Sequence, residues 1–519
     1  MIWARGLSPR PLLGEGALEV LDILEVLESR AFLEPLAIKK QKAMKKILTT
    51  ICALMGIGSA VLAEVKLPKF FSDNMVLQQQ TECNIWGTAE AGKTVTVKTS
   101  WDNKTYKVKA ADNGSFEIKV VTPEAGGPYD ITFDDGTKHT LRNVLIGEVW
   151  ICSGQSNMEM QMKGFKMQPV EGTTEELLQC KDSKLRLFTV KRKASLTPLA
   201  DVTGQWDEAY AASVRDFSAT AYYFGRTLRR QLDVPVGLIV TAWGGSACEA
   251  WMKADWLKAF PKVTLPKSDS DVKKLQQRCP TALFNGQMHP LVGYTMRGAI
   301  WYQGEDNVTR ADYYADLMAA MVKGWRGEWK QGDFPFYYCQ IAPYDYSLID
   351  WEQYNSAFLR EQQMKAETLI PNARMAVLMD AGLEYGIHPR KKREAGERMA
   401  ILALSNTYGV KGLPDFAVYK SVEFKGDTAV VSFDRSKEWV YFENGTTSEL
   451  FEVAGSDKVF HPATKVWIER NRVYVKSDKV KAPAAVRYAF KDWAQGDLMH
   501  DGLPVSSFRT DSWEFENEE

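Results

Sequence analysis

Long apolar runs are missing from this chain: none reaches the ~20 residues needed to cross a bilayer, so no membrane span is expected. Excess charge is missing too. The 65 Lys and Arg balance 66 Asp and Glu to a net charge of −1, which points to neither nucleic acid nor an anionic membrane as a partner. Repeats and low-complexity tracts are absent, which excludes solenoids and long disordered linkers. Cysteine is sparse: seven in 519 residues is no disulfide scaffold, and a chain this long buries enough core to need none. Histidine is scarcer still, at five, so imidazole chemistry has few candidates. What the chain has in quantity is aromatic residues, with 16 Trp, 20 Tyr and 23 Phe. Rings in such number serve β-rich cores and sugar-binding clefts alike.

A leader pattern sits inside the amino-terminal region. From Met44 the order is MKKILTTICALMGIGSAVLAEVKLP. Lys45 and Lys46 form a basic start, Ile47–Leu62 an apolar stretch, and Val61-Leu62-Ala63 a small-residue cleavage site. This predicts a signal peptide over 44–63, a mature end near Glu64, and an exported protein, periplasmic or extracellular. Residues 1–43 carry no recognisable module. They are expected to be an untranslated upstream extension, with Met44 as the start; a real helical extension around Ala17–Leu27 is the rival. Export permits disulfides, but Cys152 and Cys339 fall in apolar strands where a thiol packs as a small apolar group. Few or no disulfides are expected.

Residues 64–143 read as a β domain. Thr94–Lys98, Thr105–Lys109 and Ser115–Val121 alternate apolar and polar side chains, and Asp-Asn-Gly, Gly-Gly-Pro and Asp-Asp-Gly mark turns, which suggests a small sandwich. Over 144–413 the pattern changes. Strand-length apolar runs recur at Val144–Cys152, Val236–Ala242, Gly298–Gln303, Phe336–Ile341 and Met375–Asp380, with helical patterns at Thr220–Leu232, Asp312–Trp325 and Pro389–Leu404. Continuous apolar strands alternating with helices predict an α/β domain, a central parallel sheet flanked by helices. A long excursion from Met158 to Phe217, carrying a strand at Leu185–Val190, interrupts the first crossover. Over 414–519 β pattern returns as a C-terminal β-rich section, with strands at Ser421–Phe424, Thr428–Phe433, Lys465–Ile468, Arg472–Val475 and Ala485–Ala489.

In such a fold the working residues lie beyond the carboxyl ends of the strands. Four ends carry polar groups. Glu148-Val-Trp-Ile-Cys-Ser-Gly-Gln-Ser-Asn-Met158 puts a serine on a Gly turn before a helix, where Ser153 or Ser156 serves as nucleophile or as helix cap. Thr241-Ala-Trp-Gly-Gly-Ser-Ala247 lets a backbone N–H approach a ligand closely. Ile300-Trp-Tyr-Gln-Gly-Glu-Asp-Asn307 offers Gln303 or Asn307 as donor to an oxyanion. Met379-Asp-Ala-Gly-Leu-Glu-Tyr-Gly-Ile-His-Pro389 ends on His388. Pro389 suits the first helical position and places His388 at the cap. The helix terminus and Lys391, Lys392 and Arg393 should then lower the imidazole pKa and keep it neutral, as a base requires. His289 is the competing imidazole; His139, His461 and His500 lie outside the central domain.

The stretches FSDNMVLQ, IWGTAEAGKTVTV, AGGPYDI, VWICSGQSNMEM, TAWGGSACEAW, FNGQMHPL, GAIWYQGEDN, LREQQ, IHPRKKREAGERMAI and GLPVSSFRTDSW run in that order over nearly all of Val65–Trp513. They resemble the sialate O-acetylesterase family of the GDSL/SGNH hydrolase superfamily. The resemblance implies a flavodoxin-like central domain, Ser156 rather than Ser153 as nucleophile, and His388 as base. It implies an oxyanion hole from the Ser156 and Gly245 N–H groups, completed by Gln303 or Asn307. The superfamily's acid stands three residues before the histidine, but here that position is Tyr385. Glu384 is the favoured acid, with Asp380 or a backbone carbonyl as alternatives, the last leaving a Ser–His dyad. The implied substrate is an O-acetylated sugar, 9-O-acetylated sialic acid first and acetylxylan or another plant glycan second, with no metal or cofactor. Arg360, Glu249, Trp251 and Trp301 are candidates to line the pocket. A glycan-binding protein without catalysis is the rival from another class.

Overall fold

The computed structural model describes residues 64–349, 355–437 and 439–513; the expected leader and the extension before it lie outside them. No helix among the described residues is long and apolar enough to cross a membrane. The six cysteines from Cys83 to Cys339 are free thiols, all buried.

The first strands are β1 (Val76–Gln78), β2 (Glu82–Thr88), β3 (Thr94–Thr99), β4 (Thr105–Lys109), β5 (Ser115–Val121) and β6 (Gly126–Asp134). In β5, Phe116, Ile118 and Val120 are buried while the residues between them are exposed, the period-two signature of a half-covered strand. β2 pairs with β5, and β3 joins β4 to β6. β7 (Lys138–Gly154) is 17 residues long and serves two regions. Up to Gly147 it pairs with β6 and β1; from Glu148 it pairs with the central strands. Residue 143, where the sequence suggested a boundary, therefore lies within one continuous strand. Every residue from Val144 to Gly154 is buried, which gives that half its continuous apolar run.

The central strands are completed by β8 (Asp182–Thr189), β9 (Trp206–Ala209), β10 (Val236–Ala242), β11 (Gly298–Tyr302), β12 (Phe336–Cys339) and β13 (Ala373–Ala376), in the spatial order β13-β12-β11-β7-β10-β8-β9. The first six in that order are parallel, but β9 runs antiparallel to β8. The sheet is mixed rather than wholly parallel. Residues 190–205 carry no helix, so the chain turns back beside β8 without the crossover a parallel neighbour needs.

The helices that matter for the site are α1 (Ser156–Glu159), α2 (Ala219–Leu232), α3 (Tyr314–Trp329) and α4 (Lys392–Asn406). Trp150 of β7 meets Phe224 of α2, while Trp301 of β11 meets Trp325 of α3. Trp301 is in register with Ser153, three residues from Trp150, so α2 and α3 cover opposite faces. Two expected boundaries shift. β13 stops at Ala376 because the Val377 and Met379 carbonyls are taken by Arg398 and by the Gly496 N–H. Helix α4 starts three residues after Pro389, with Lys391 as its cap. The preceding loop is held open by bonds from Asn157 to the Ile387 carbonyl and from the Glu171 N–H to the Arg390 carbonyl. After α4, strands from Val418–Lys425 to Phe508–Arg509 form small antiparallel sheets. This β-rich region docks on the centre through pairs such as Arg509–Glu361 and Gln340–Ser506.

Candidate active site

Three strand ends meet at one level: Gly154 of β7 is in register with Ala242 of β10 and Tyr302 of β11. The turn after β7 is thereby flanked by the Gly244-Gly245 turn and the Gln303–Asn307 turn. Gly154 has φ +142°, and a Cβ there would lie 2.1 Å from the Tyr302 carbonyl oxygen. Glycine alone lets the chain leave the sheet so tightly. Of the two candidate serines, Ser153 is fully buried and its hydroxyl has no partner among the described residues. Ser156, one turn further on, lines a cleft of about 640 Å³.

His388 lines the same cleft, with its ring edge-on to Phe165. Its Nδ1 lies 2.6 Å from Oε1 of Gln168. If Nδ1 carries the proton and donates to that amide oxygen, Nε2 is the basic nitrogen. Gln168 is itself set by a tight turn in which the Phe165 and Gln168 backbones bond each other reciprocally. Burial, and after it the charge of Lys392, push the His388 pKa down to about 4. The direction is the one expected, but the cause is not a helix cap, since His388 lies in the loop ahead of α4.

Neither candidate carboxylate meets the imidazole. Glu384 bonds the Tyr385 hydroxyl, and Asp380 is held in a two-pronged pair with Arg398, both contacts at 2.6 Å. Gln303 and Asn307 do not line the cleft either. Both are fully buried, and Gln303 Nε2 donates to the Ser246 carbonyl (3.0 Å) and to Asn307 Oδ1 (2.8 Å). Asn307 Oδ1 also accepts from the Cys248 N–H, while its Nδ2 donates to Glu249. Polar side chains at a strand end can brace the next turn from behind as readily as face a ligand, and here they brace.

Gly244 packs directly on the serine: a Cβ on it would lie 3.2 Å from Ser156 Cβ. Gly245 follows with φ +69° and lines the cleft. The backbone N–H groups of Ser156 and Gly245 have no partner among the described residues. Gln155 also lines the cleft; its Oε1 accepts from the Gly304 and Asp306 N–H groups at 3.3 Å, and its Nε2 has no partner among the described residues.

Beneath the cleft is a buried polar network that the sequence reading missed. Asn157 Nδ2 donates to Glu305 (2.5 Å) and to the Ile387 carbonyl (3.1 Å), while its Oδ1 accepts from Lys392 Nζ (2.5 Å). Asn157 thus ties the turn that carries Ser156 to the loop that carries His388. Burial pushes the Lys392 pKa down to about 7 and raises that of Glu305, each partly offset by its neighbour.

Other candidates fall elsewhere. His289 bonds the Leu199 carbonyl. Trp251 and Trp301 are core rings packed edge to face, and Arg360 is fully buried against Ser356, Ser507 and the Lys491 carbonyl. Glu249 lines a neighbouring basin. A larger cleft, about 970 Å³ between the β2–β5 pair and residues 328–331, is lined by no histidine or cysteine. Its walls just precede β11 and β12, at the amino end of the strands, away from the ends that carry Ser156 and His388.

Residues 146–405 match the family described as carbohydrate esterase, sialic acid-specific acetylesterase. The human sialate O-acetylesterase is 30% identical over 387 residues, covering 67% of this chain and 72% of that protein. The rat sialate O-acetylesterase is 28% identical over 430 residues, covering 71% and 78%. The crystal structure of a carbohydrate acetylesterase from Xanthomonas citri superposes with a TM-score of 0.79 at 35% identity, covering 87% of this chain and 100% of that one. With the family matched over the central sheet and its curated relatives matched over two thirds of the chain, this protein belongs to the sialic acid-specific acetylesterase family of carbohydrate esterases.

Proposed function

We propose that this protein is an exported serine esterase that removes acetyl groups from O-acetylated sugars, with 9-O-acetylated sialic acid as substrate. The carrying observation is one cleft that holds a hydroxyl, an imidazole gripped by its far nitrogen, and two uncommitted backbone N–H groups. His388 Nε2 takes the proton of Ser156 as Oγ attacks the acetyl carbonyl carbon. The oxyanion accepts bonds from the Ser156 and Gly245 N–H groups. Collapse breaks the bond to the sugar oxygen, which leaves with the proton from His388. Water, deprotonated by the same nitrogen, then attacks the acyl-enzyme and releases acetate. Gln168 takes the place a carboxylate holds in a triad: it fixes the tautomer but adds no negative charge. The domain reading, an SGNH-type flavodoxin-like centre between β-rich regions, and export by a leader at 44–63 belong to the same proposal. A mature amino terminus away from Glu64 would count against the leader.

A second reading keeps the chemistry and changes the sugar to a neutral acetylated glycan such as acetylxylan. It draws on the Xanthomonas citri relative, a carbohydrate acetylesterase. Acetate release from 9-O-acetylated sialic acid and from acetylxylan, by wild type and Ser156→Ala, separates the two. Fluorophosphonate should label the wild type and not Ser156→Ala. Sugar binding with neither labelling nor turnover would sink the esterase reading.

A further inference from the structure

A second basin of about 380 Å³ lies beside the catalytic cleft, and Arg278 and Asp306 line both. Its solvent-facing charged groups are basic. The Arg278 side chain is 57% exposed, Arg310 36% and Lys262 71%. The carboxylates that balance the two arginines, Asp306 and Glu249, are only 5% exposed and stand behind them. Arg278 places Nε and Nη2 on the same oxygen of Asp306, each at 2.7 Å, and its Nη1 has no partner among the described residues. Lys262 pairs with Asp312, itself 60% exposed, an arrangement that a ligand displaces at little cost. The Tyr313 ring lines the basin, and its hydroxyl donates to Glu249.

From this arrangement we infer that the basin binds the carboxylate of an acidic sugar whose acetyl ester lies at Ser156. The inference rests on the acetylesterase reading and names what selects its substrate. A buried acid behind an exposed guanidinium fixes the fork in place and leaves donors free, the preorganised form in which arginine binds carboxylates. Because Arg278 and Asp306 line both spaces, a sugar acid with its acetylated hydroxyl at one end and its carboxylate at the other would lie across that shared wall. A neutral acetylated sugar gains no charge-assisted bond there.

The experiment compares kcat/KM for 9-O-acetylated sialic acid and for its carboxyl methyl ester, which differ only in the charge the basin is to read. For the wild type the acid should exceed the ester at least about tenfold, the worth of one charge-assisted hydrogen bond. In Arg278→Gln the ratio should fall towards one, and in Arg278→Lys it should be partly restored. As a measurement independent of the variants, unacetylated sialic acid should inhibit wild-type turnover of 4-nitrophenyl acetate more strongly than its methyl ester does. A wild-type ratio near one with normal turnover overturns this inference alone, as does an Arg278→Gln enzyme that keeps the ratio. No acetate from any acetylated sugar overturns the acetylesterase reading and this inference with it.

Discussion

Replacing Lys392 by methionine should move the acid limb of the pH–rate profile upward. In the wild type, burial of His388 and then the Lys392 charge set the imidazole pKa at about 4, against ~6.5 for a free side chain. At pH 5.5 this leaves ~97% of His388 neutral, where an unperturbed histidine would be ~9% neutral, a tenfold difference in competent base. The assay is kcat/KM for 4-nitrophenyl acetate from pH 4 to 8 at constant ionic strength, which reports the free enzyme. Lys392→Met removes the second cause and keeps the first, so the midpoint should rise yet stay below 6.5. Because Lys392 itself is pushed down to about 7, the wild type should show a second, shallower inflection there that the variant lacks. The variant also deprives Asn157 Oδ1 of its 2.5 Å donor, so the plateau should drop about tenfold, the rate equivalent of ~1.4 kcal/mol. Stability follows the same sign. The folded pKa of His388 lies below its unfolded value, so its contribution is full above pH 6.5 and is lost as pH falls through about 4. The loss is at most ~3 kcal/mol, and less once solvent screening of a half-buried ring is counted. A wild-type midpoint near 6.5, or a downward shift in Lys392→Met, would refute the reasoning.

Gln168→Leu removes the acceptor at His388 Nδ1 and should lower kcat about a hundredfold through loss of the tautomer and orientation, whereas Gln168→Glu should keep activity and shift the acid limb upward by adding a negative charge. Glu384→Gln should leave kcat within about twofold, since that side chain bonds Tyr385 and touches no catalytic group; a thousandfold loss would reinstate a carboxylate triad. Gly154→Ala should destabilise the fold by ~3 kcal/mol or more, because its Cβ meets a backbone oxygen at a φ that alanine disfavours. Urea unfolding reads this directly, and an unchanged midpoint would contradict the close approach to Tyr302.

What the sequence made legible was whatever repeats on the scale of a few residues. The apolar run Val236–Ala242 is a strand from end to end, and Ser115–Val121 alternates as its pattern says. The four strand ends were legible for the same reason, since glycine and polar residues after an apolar run mark where a strand stops. The roles at those ends were less so. Gln303 and Asn307 have amide donors of the kind an oxyanion hole uses, but the direction in which a side chain points after a turn depends on backbone angles that composition does not encode. Their bonds to Ser246 and Cys248 make them the brace of the Gly244-Gly245 turn. The start of α4 was not legible, because Pro389 fits a first helical turn locally, while the bonds that delay the helix come from Asn157 and Glu171.

The partner of His388 was the least legible feature, and its chemistry differs from that of a triad. Spacing rules search the few residues before the histidine, but Gln168 lies 220 positions earlier, in an excursion between strands. A carboxylate at Nδ1 would raise the imidazole pKa and strengthen it as a base. An amide does not, and burial with Lys392 lowers the pKa further. In the proposed reaction the result is a weaker base in the first step but a stronger acid in the second, when the imidazolium must protonate a departing sugar oxygen. A sugar hydroxyl is a poor leaving group, so the step that most needs help is the one a low-pKa imidazolium accelerates. On this account Gln168→Glu exchanges one benefit for the other. It should gain more with an aryl acetate, whose leaving group needs no proton, than with an acetylated sugar, whose leaving group does.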